Sequence, residues 1–154
     1  FLLNGKINKI NQPDKNEINI QIYNKENYKL LMSCANNLSR IHLSEKNKKN
    51  PITAYNFCML LRKHLVGGTI KNIYQHKIDR VVCFEIENLN ELKELSKKLL
   101  IIEIMGKHSN IILVDKESNK IIDSIKHIDS RQSSIREVFP NKDYFFVKDE
   151  KRIF

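Results

Sequence analysis

The sequence predicts an α+β fold: an antiparallel β-rich sandwich with one main helix. Residues 101–115 contain two apolar, β-branched runs around a short polar segment with a single glycine, Gly106, which is the pattern of a buried hairpin. Neither run alternates between apolar and polar residues, so we expect both faces of this hairpin to be covered by a second sheet layer or by helices. One other segment, 53–65, has apolar residues at helical spacing.

Length and charge limit the classes of protein. A chain of 154 residues with 41% hydrophobic and 29% charged residues is large enough for one domain with a real core. No apolar run approaches the ~18 residues that a membrane span requires, so we expect no membrane segment. The formal net charge of +9 favours polyanionic partners, either nucleic acid or an anionic membrane surface. The alternative is a surface that is merely rich in lysine.

The chemistry-bearing residues form no recognisable catalytic or metal-binding motif. Cys34, Cys58 and Cys83 each lie in an apolar segment, as expected for reduced core residues of a cytosolic protein. The nearest metal-like grouping, Cys58 with His64, lacks ligand spacing. There is no Gly-x-Ser-x-Gly elbow and no glycine-rich phosphate loop. We therefore expect a binding domain that is not an enzyme and uses no metal or cofactor.

The first 43 residues predict an antiparallel meander. Residues 6–10 form a strand, and after a turn at 13–16 the isoleucines of segment 18–22 alternate with polar residues, as in a half-exposed strand. Segments 28–34 and 40–43 follow as two further short strands.

The helix at 53–65 follows a charged loop. Thr53 is the expected N-cap, and Gly67 and Gly68 end the helix. Strands are predicted at 69–74 and 80–87.

The rest of the chain surrounds the central hairpin. The leucines between 89 and 99 have the spacing of a short amphipathic helix, and a strand is expected at 120–127. The C-terminal aromatic residues Tyr144, Phe145 and Phe146 should pack that end of the chain onto the sheet.

Four blocks of the sequence together resemble the N-terminal domain of the NFACT family. They are NFCMLLRKHLVGGTI at 56–70, IDRVVCFEI at 78–86, IIEIMGKHSNIILVD at 101–115 and IIDSIKHI at 121–128. The resemblance covers nearly the whole chain in the family's order and spacing. It implies that residues 1–154 are a single NFACT N-terminal domain, and that the family's first helix and later domains are missing from this fragment.

The resemblance also implies a fold similar to the N-terminal domain of formamidopyrimidine-DNA glycosylases. The nucleophile of those enzymes is an N-terminal proline, whereas the first proline here, Pro13, is internal and lies in a predicted turn. Glycosylase activity therefore does not follow from the shared fold.

For function, the resemblance implies a domain that binds transfer RNA and the large ribosomal subunit. Members of the family act in ribosome-associated quality control, where they promote template-independent C-terminal tailing of stalled nascent chains in the cytoplasm. The alternative is a fibronectin-binding surface adhesin, after the family's older name, fibronectin-binding protein A. The basic charge, the reduced-looking cysteines and the absence of an export signal disfavour the adhesin.

The resemblance also assigns candidate RNA-binding residues. Asp79 and Arg80 match a dipeptide that the family uses in engaging transfer RNA, although such a neighbouring pair taken alone is usually structural or solvated. Glu103, Ile104 and Met105 match a segment that lies near the bound transfer RNA. Their alternative role is a core strand whose buried glutamate is ion-paired with arginine or lysine.

Further cations are possible contacts to the RNA backbone. At the predicted tip of the central hairpin, Lys107, His108, Ser109 and Asn110 could donate to phosphates, or they could serve only the chemistry of the turn. Three other basic pairs are either surface decoration or RNA contacts: Arg40 with His42, Arg62 with Lys63, and Lys126 with His127.

Overall fold

A computed structural model describes residues 2–35, 39–45, 48–76, 80–105, 108–129, 131 and 137–144. Within these residues the chain forms nine strands and one helix, which confirms the predicted antiparallel, β-rich α+β class. In chain order the elements are β1 (Lys6–Asp14), β2 (Glu17–Asn24), β3 (Glu26–Ser33), β4 (Arg40–Leu43), α1 (Asn56–Leu65), β5 (Thr69–His76), β6 (Val81–Leu89), β7 (Leu95–Glu103), β8 (Asn110–Asp115) and β9 (Lys120–Ser124).

The described strands form one sheet in the order β4-β3-β2-β1-β5-β6-β7-β8-β9, and each neighbouring pair is antiparallel. Strands β1 and β5 meet where Lys6 pairs with Thr69. At the same junction the Ile7 amide donates to the Gly68 carbonyl at 2.8 Å. This short junction divides the sheet into a half built from β1–β4 and a half built from β5–β9.

The two halves face each other around a common core. One cluster of buried side chains contains Ile20 and Met32 from the first half together with Leu100 and Leu113 from the second. The Lys126 Nζ, just after β9, donates to the Cys34 carbonyl, just after β3, at 2.8 Å. The predicted sandwich is therefore present as one folded sheet rather than as two separate sheets.

Helix α1 lies between the two halves, where it contacts β1, β6 and β9. Its buried residues are Phe57, Cys58, Leu61 and Leu65. The prediction that the helix begins at Thr53 was wrong: Tyr55 is the N-cap, and among the described residues no side chain caps the helix. The helix instead begins just before Phe57, its first core-facing residue, because burial of that face contributes more than a cap.

The end of α1 was predicted correctly. The helix ends at Leu65, and Gly67 follows with a φ of +91°, a conformation that side chains with a Cβ rarely adopt. At Gly68 a Cβ would lie 2.8 Å from the Ile86 side chain. The two glycines therefore let the chain turn directly from the helix into β5.

The short helix predicted from the leucines between 89 and 99 is not formed. Leu89 ends β6 and pairs with Leu95 at the start of β7. Between them, the Asn90 side-chain oxygen accepts the Leu92 amide at 2.9 Å and the Glu94 amide at 3.0 Å. This asparagine turn and the pairing of β6 with β7 override the helical spacing of the leucines.

Strand β2 is more covered than its alternating pattern predicted. Glu17 and Asn19, on the face opposite the isoleucines, are 4% and 8% exposed. Lys48, from the segment before α1, ion-pairs with Glu17 at 2.6 Å. The prediction of a half-exposed strand was wrong because this segment contacts the outer face of the sheet.

Both faces of the central hairpin are buried, as predicted. Alternate residues of β6–β9 face away from the common core and, with two residues of segment 137–144, form an outer cluster: Val81, Cys83, Ile101, Ile112, Val114 and Ile121, joined by Val138 and Tyr144. Segment 137–144 covers this cluster and is held by the Ile121 amide, which donates to the Lys142 carbonyl at 2.7 Å. Tyr144 thus packs onto the sheet as expected, whereas Phe145 and Phe146 lie outside the described residues.

Several strand boundaries differ from prediction by a few residues; β1, for example, continues to Asp14 and β5 to His76. Strand β6 begins at Val81, one residue after Arg80, and β9 ends at Ser124 instead of residue 127. No helix in the described part of the chain is long and apolar enough to cross a membrane.

Candidate nucleic-acid interface

Several predicted site residues meet at one end of the sheet, which we call the Arg80 end and define by Arg80, Glu103, Ile104, His108 and Asn110. The strand registers place Val81 opposite Glu103, and Glu103 opposite Asn110. The Ile104 amide donates to the Arg80 carbonyl at 2.8 Å, which extends the ladder by one residue. The start of β6, the end of β7 and the start of β8 therefore lie side by side.

Arg80 is the residue immediately before β6. Its side chain is exposed, whereas its carbonyl is held by the Ile104 amide. An exposed guanidinium on a fixed backbone suits recognition of a phosphate, because its planar fork of donors matches the phosphate oxygens. Asp79, the other half of the predicted dipeptide, lies outside the described residues.

Glu103 is almost completely buried. The residue is 1% exposed, and the Tyr144 Oη donates to its Oε2 at 2.7 Å. The sequence left open whether this glutamate is an RNA contact or an ion-paired core residue. Here the carboxyl group takes a hydrogen bond from a tyrosine of the outer cluster, which gives this buried polar group a donor.

Ile104 and Met105 follow Glu103 and are half-buried. The Met105 amide donates to the Ser109 Oγ at 2.8 Å, and the His108 amide donates to the Met105 carbonyl at 3.1 Å. These two bonds hold the described part of the β7–β8 connection in a tight turn. His108 is exposed at its surface, and Lys107 lies outside the described residues.

Asn110 has an internal role in this turn. It is 3% exposed, its Nδ2 donates to the Lys126 carbonyl at 3.0 Å, and its Oδ1 accepts the Lys126 amide at 3.0 Å. These bonds join distant segments, so they differ from the local turn role that the sequence offered as the alternative to an RNA contact. The amide of Asn110 thereby fixes the start of β8 against the chain after β9.

The other basic pairs divide into structural and surface residues. The Arg62 Nε donates to the Ile10 carbonyl at 2.7 Å and its Nη2 to the Asn11 Oδ1 at 3.0 Å, so this arginine ties α1 to β1. Lys126 contributes its Nζ to the Cys34 carbonyl, as described above. His127 is exposed, with its Nε2 at 2.6 Å from the Asp123 carboxylate.

The surface also holds the remaining members of these pairs. Lys63 lies 3.4 Å from Glu91, and both side chains are exposed. The Arg40 Nε donates to the Nε2 of His42 at 3.1 Å. These contacts leave Arg40 and His42 on the surface near the end of β3.

The three cysteines are free and buried, as predicted. Burial raises the pKa of the Cys34 and Cys83 thiols to about 11, and it also raises the pKa of Cys58. All three thiols are therefore protonated at neutral pH, which makes them poor nucleophiles. Within the described ranges, no three His, Cys, Asp or Glu side chains are grouped as metal ligands would be.

Sequence reasoning missed one residue of this region. Tyr144 was expected to pack on the sheet, but its hydrogen bond to Glu103 joins residues that lie in different segments of the chain. No local pattern marks such a pair. A buried glutamate in an apolar run and a tyrosine in a terminal aromatic group were the signals available.

Comparison with known proteins gives a consistent set of relatives. Residues 1–153 match the family of NFACT N-terminal and middle domains. The chain is 43% identical to the Rqc2 homolog RqcH of Bacillus subtilis over 93% of its own length and 25% of the relative's. It is also 43% identical to the Rqc2 homolog RqcH of Streptococcus pneumoniae, over 97% of this chain and 29% of that protein.

Solved structures show the same fold. The N-terminal domain of the fibronectin-binding protein PavA from Streptococcus pneumoniae matches with a TM-score of 0.90 and 42% identity, over 99% of this chain and 61% of that one. The N-terminal part of the fibronectin/fibrinogen-binding protein from Streptococcus suis matches with a TM-score of 0.91 and 42% identity, over 94% and 55%.

This chain therefore spans about a quarter of the length of the curated relatives that it matches. The match to the family covers nearly all of its residues. The chain belongs to the family of NFACT N-terminal and middle domains.

Proposed function

We propose that this domain binds transfer RNA and helps a ribosome quality control factor to engage the large ribosomal subunit. The observation that carries the proposal is the Arg80 end, where backbone hydrogen bonds join an exposed arginine to a half-buried isoleucine and a half-buried methionine to an exposed histidine. The identity of 43% to proteins named Rqc2 homolog RqcH supports the ribosomal assignment.

The contacts that we propose follow from the chemistry of the side chains. Arg80 donates to phosphate oxygens, since a guanidinium pairs with phosphate in bidentate fashion. Ile104 and Met105 supply an apolar surface beside it, suited to the face of a ribose or base. Asp79 orients Arg80 or contacts the RNA itself, and Lys107 and His108 add donors at the tip of the hairpin.

The net charge of +9 adds a general attraction to RNA. Cations that neutralise phosphates release condensed counterions, so this part of the affinity is not specific for sequence and weakens in salt. In this proposal the domain acts by binding and makes or breaks no bond. Tailing of the nascent chain then depends on the transfer RNA that the domain helps to hold.

The second candidate function is fibronectin binding, since the solved structures with the same fold include proteins named for that activity. Fibronectin binding would require the domain to be outside the cell and would not involve RNA. The two candidates therefore predict different partners for the same protein.

Crosslinking of the intact protein in cells tests the proposal. We expect recovery of transfer RNA and of large-subunit RNA and proteins. Arg80→Ala should reduce recovery of transfer RNA while recovery of the large subunit, which other parts of the protein can support, persists. Recovery of extracellular matrix proteins without RNA would refute the proposal and favour the adhesin.

A further inference from the structure

We propose that Tyr144 and Glu103 are positioning residues: Tyr144 acts on RNA binding through its hydrogen bond to Glu103, and Glu103 does not touch the RNA. This inference rests on the proposed RNA-binding role of the Arg80 end. It adds Tyr144, from a segment that covers the outer face of the sheet, to the residues on which that role depends.

The burial of Glu103 is the first step. With 1% of the residue exposed, its carboxylate is not accessible to a phosphate or a base. An exposed glutamate at this position would repel the RNA backbone, because like charges oppose each other even where solvent screens them. Burial behind the strand end removes the negative charge from the surface that the RNA would meet.

The contacts of Glu103 link it to Arg80. Glu103 is the last residue of β7, and the amide of the next residue, Ile104, donates to the Arg80 carbonyl at 2.8 Å. Any shift of the end of β7 therefore changes the backbone position from which the Arg80 side chain extends. The hydrogen bond from the Met105 amide to the Ser109 Oγ links the connection between β7 and β8 to the same strand end. A shift of the end of β7 therefore also moves this connection.

Tyr144 holds this strand end from the outer side. The residue is 6% exposed and belongs to the outer cluster, and its Oη donates to the Glu103 Oε2 at 2.7 Å. The backbone of Tyr144 is itself anchored, because its amide donates to the Asn119 carbonyl at 2.9 Å and the Asn119 Nδ2 donates to its carbonyl at 2.7 Å. The tyrosine thus connects the β8–β9 turn to the end of β7 by hydrogen bonds at both sites.

Tyr144→Phe tests the hydrogen bond between Tyr144 and Glu103, since it removes the hydroxyl and keeps the buried ring. In the intact protein we expect transfer RNA to bind roughly fivefold more weakly, as for loss of one hydrogen bond. Hydrogen exchange of a peptide containing Ile104, measured without RNA, should become roughly fivefold faster because the same hydrogen bond is lost. The matched control is Tyr23→Phe, which removes a hydroxyl from a half-exposed side chain of β2 and should change neither quantity.

A double variant separates positioning from contact. If Tyr144 acts through Glu103, adding Tyr144→Phe to Glu103→Ala should weaken RNA binding no further than Glu103→Ala alone. If Tyr144→Phe matches the wild type in both measurements while Glu103→Ala loses affinity, Glu103 acts directly and the inference is wrong. Wild-type protein that binds no transfer RNA refutes the proposed function instead, and the exchange measurement then still decides whether Tyr144 holds the Arg80 end.

Discussion

Replacing Arg80 by alanine removes the side chain that the proposed function depends on most. The residue is exposed, and the hydrogen bond that it makes to Ile104 uses its carbonyl, which alanine retains. The Ile104 amide therefore keeps its acceptor in the variant. Because an exposed side chain is removed, the free energy of unfolding should change by less than about 1 kcal/mol. The variant should therefore fold, and changes in RNA binding can be read without correction for unfolding.

The effect on RNA binding follows from the bonds that a guanidinium makes. Loss of charge-assisted hydrogen bonds to phosphate weakens binding by about 1–3 kcal/mol. At 25 °C this range corresponds to a roughly 5- to 150-fold higher dissociation constant for transfer RNA. Removal of one phosphate contact should also reduce the slope of log affinity against log salt by about one.

The assay is titration of fluorescent transfer RNA with the intact protein at several salt concentrations, together with thermal denaturation. The matched control is Lys6→Ala, which removes one exposed cation where β1 meets β5, at the end of β5 remote from Arg80. Equal losses of affinity for the two variants would show that only total charge matters. Unchanged affinity of Arg80→Ala would remove Arg80 from the interface, and a strongly destabilised variant would make it a structural residue.

Three further predictions concern the core, the thiols and the charge. Leu61→Ala should lower the free energy of unfolding by about 2–5 kcal/mol in denaturant titrations, because Leu61 is 0% exposed where α1 lies between the two halves of the sheet. Met59→Ala, on the exposed side of α1, is the control and should change this free energy by no more than about 0.5 kcal/mol. Burial raises the pKa of Cys34 and Cys83 from 9.0 to about 11, so the folded protein keeps protons that the unfolded chain releases. The free energy of unfolding should then fall as the pH rises from 9 to 11. Iodoacetamide should label the thiols of the native protein slowly at neutral pH, and fast labelling would contradict their burial. Transfer RNA affinity should fall steeply when salt is raised from about 50 to 200 mM, and an affinity independent of salt would exclude phosphate-dominated contact.

Local order along the chain could be predicted from the sequence for a physical reason. Hairpins such as β1–β2 and β7–β8 pair residues that are close in sequence, so turn residues and apolar runs are sufficient to mark them. The end of α1 could be predicted in the same way, because the requirement for a left-handed residue at Gly67 is local. The leucines between 89 and 99 mark the limit, since their helical spacing was overridden by pairing with β6.

The candidate site shows a similar division. The sequence, through its resemblance to a family, singled out Arg80, Glu103 and Ile104, although they lie in separate blocks. The tertiary structure decided their surroundings: antiparallel pairing brought Arg80 beside Ile104, and packing of segment 137–144 buried Glu103 against Tyr144. Whether a side chain reaches solvent or the interior depends on contacts between distant segments, which no local pattern encodes.

By itself, then, the sequence determined the class of fold, most strands, the end of the helix and the family, because each depends on residue order or on local backbone preference. Only the tertiary structure decided that the sheet folds over on itself, that Asn110 ties β8 to Lys126, and that the carboxylate of Glu103 faces the outer cluster. These features depend on how the two halves of the sheet and the covering segment exclude water together, and that burial is a property of the assembled domain and not of any one stretch of chain.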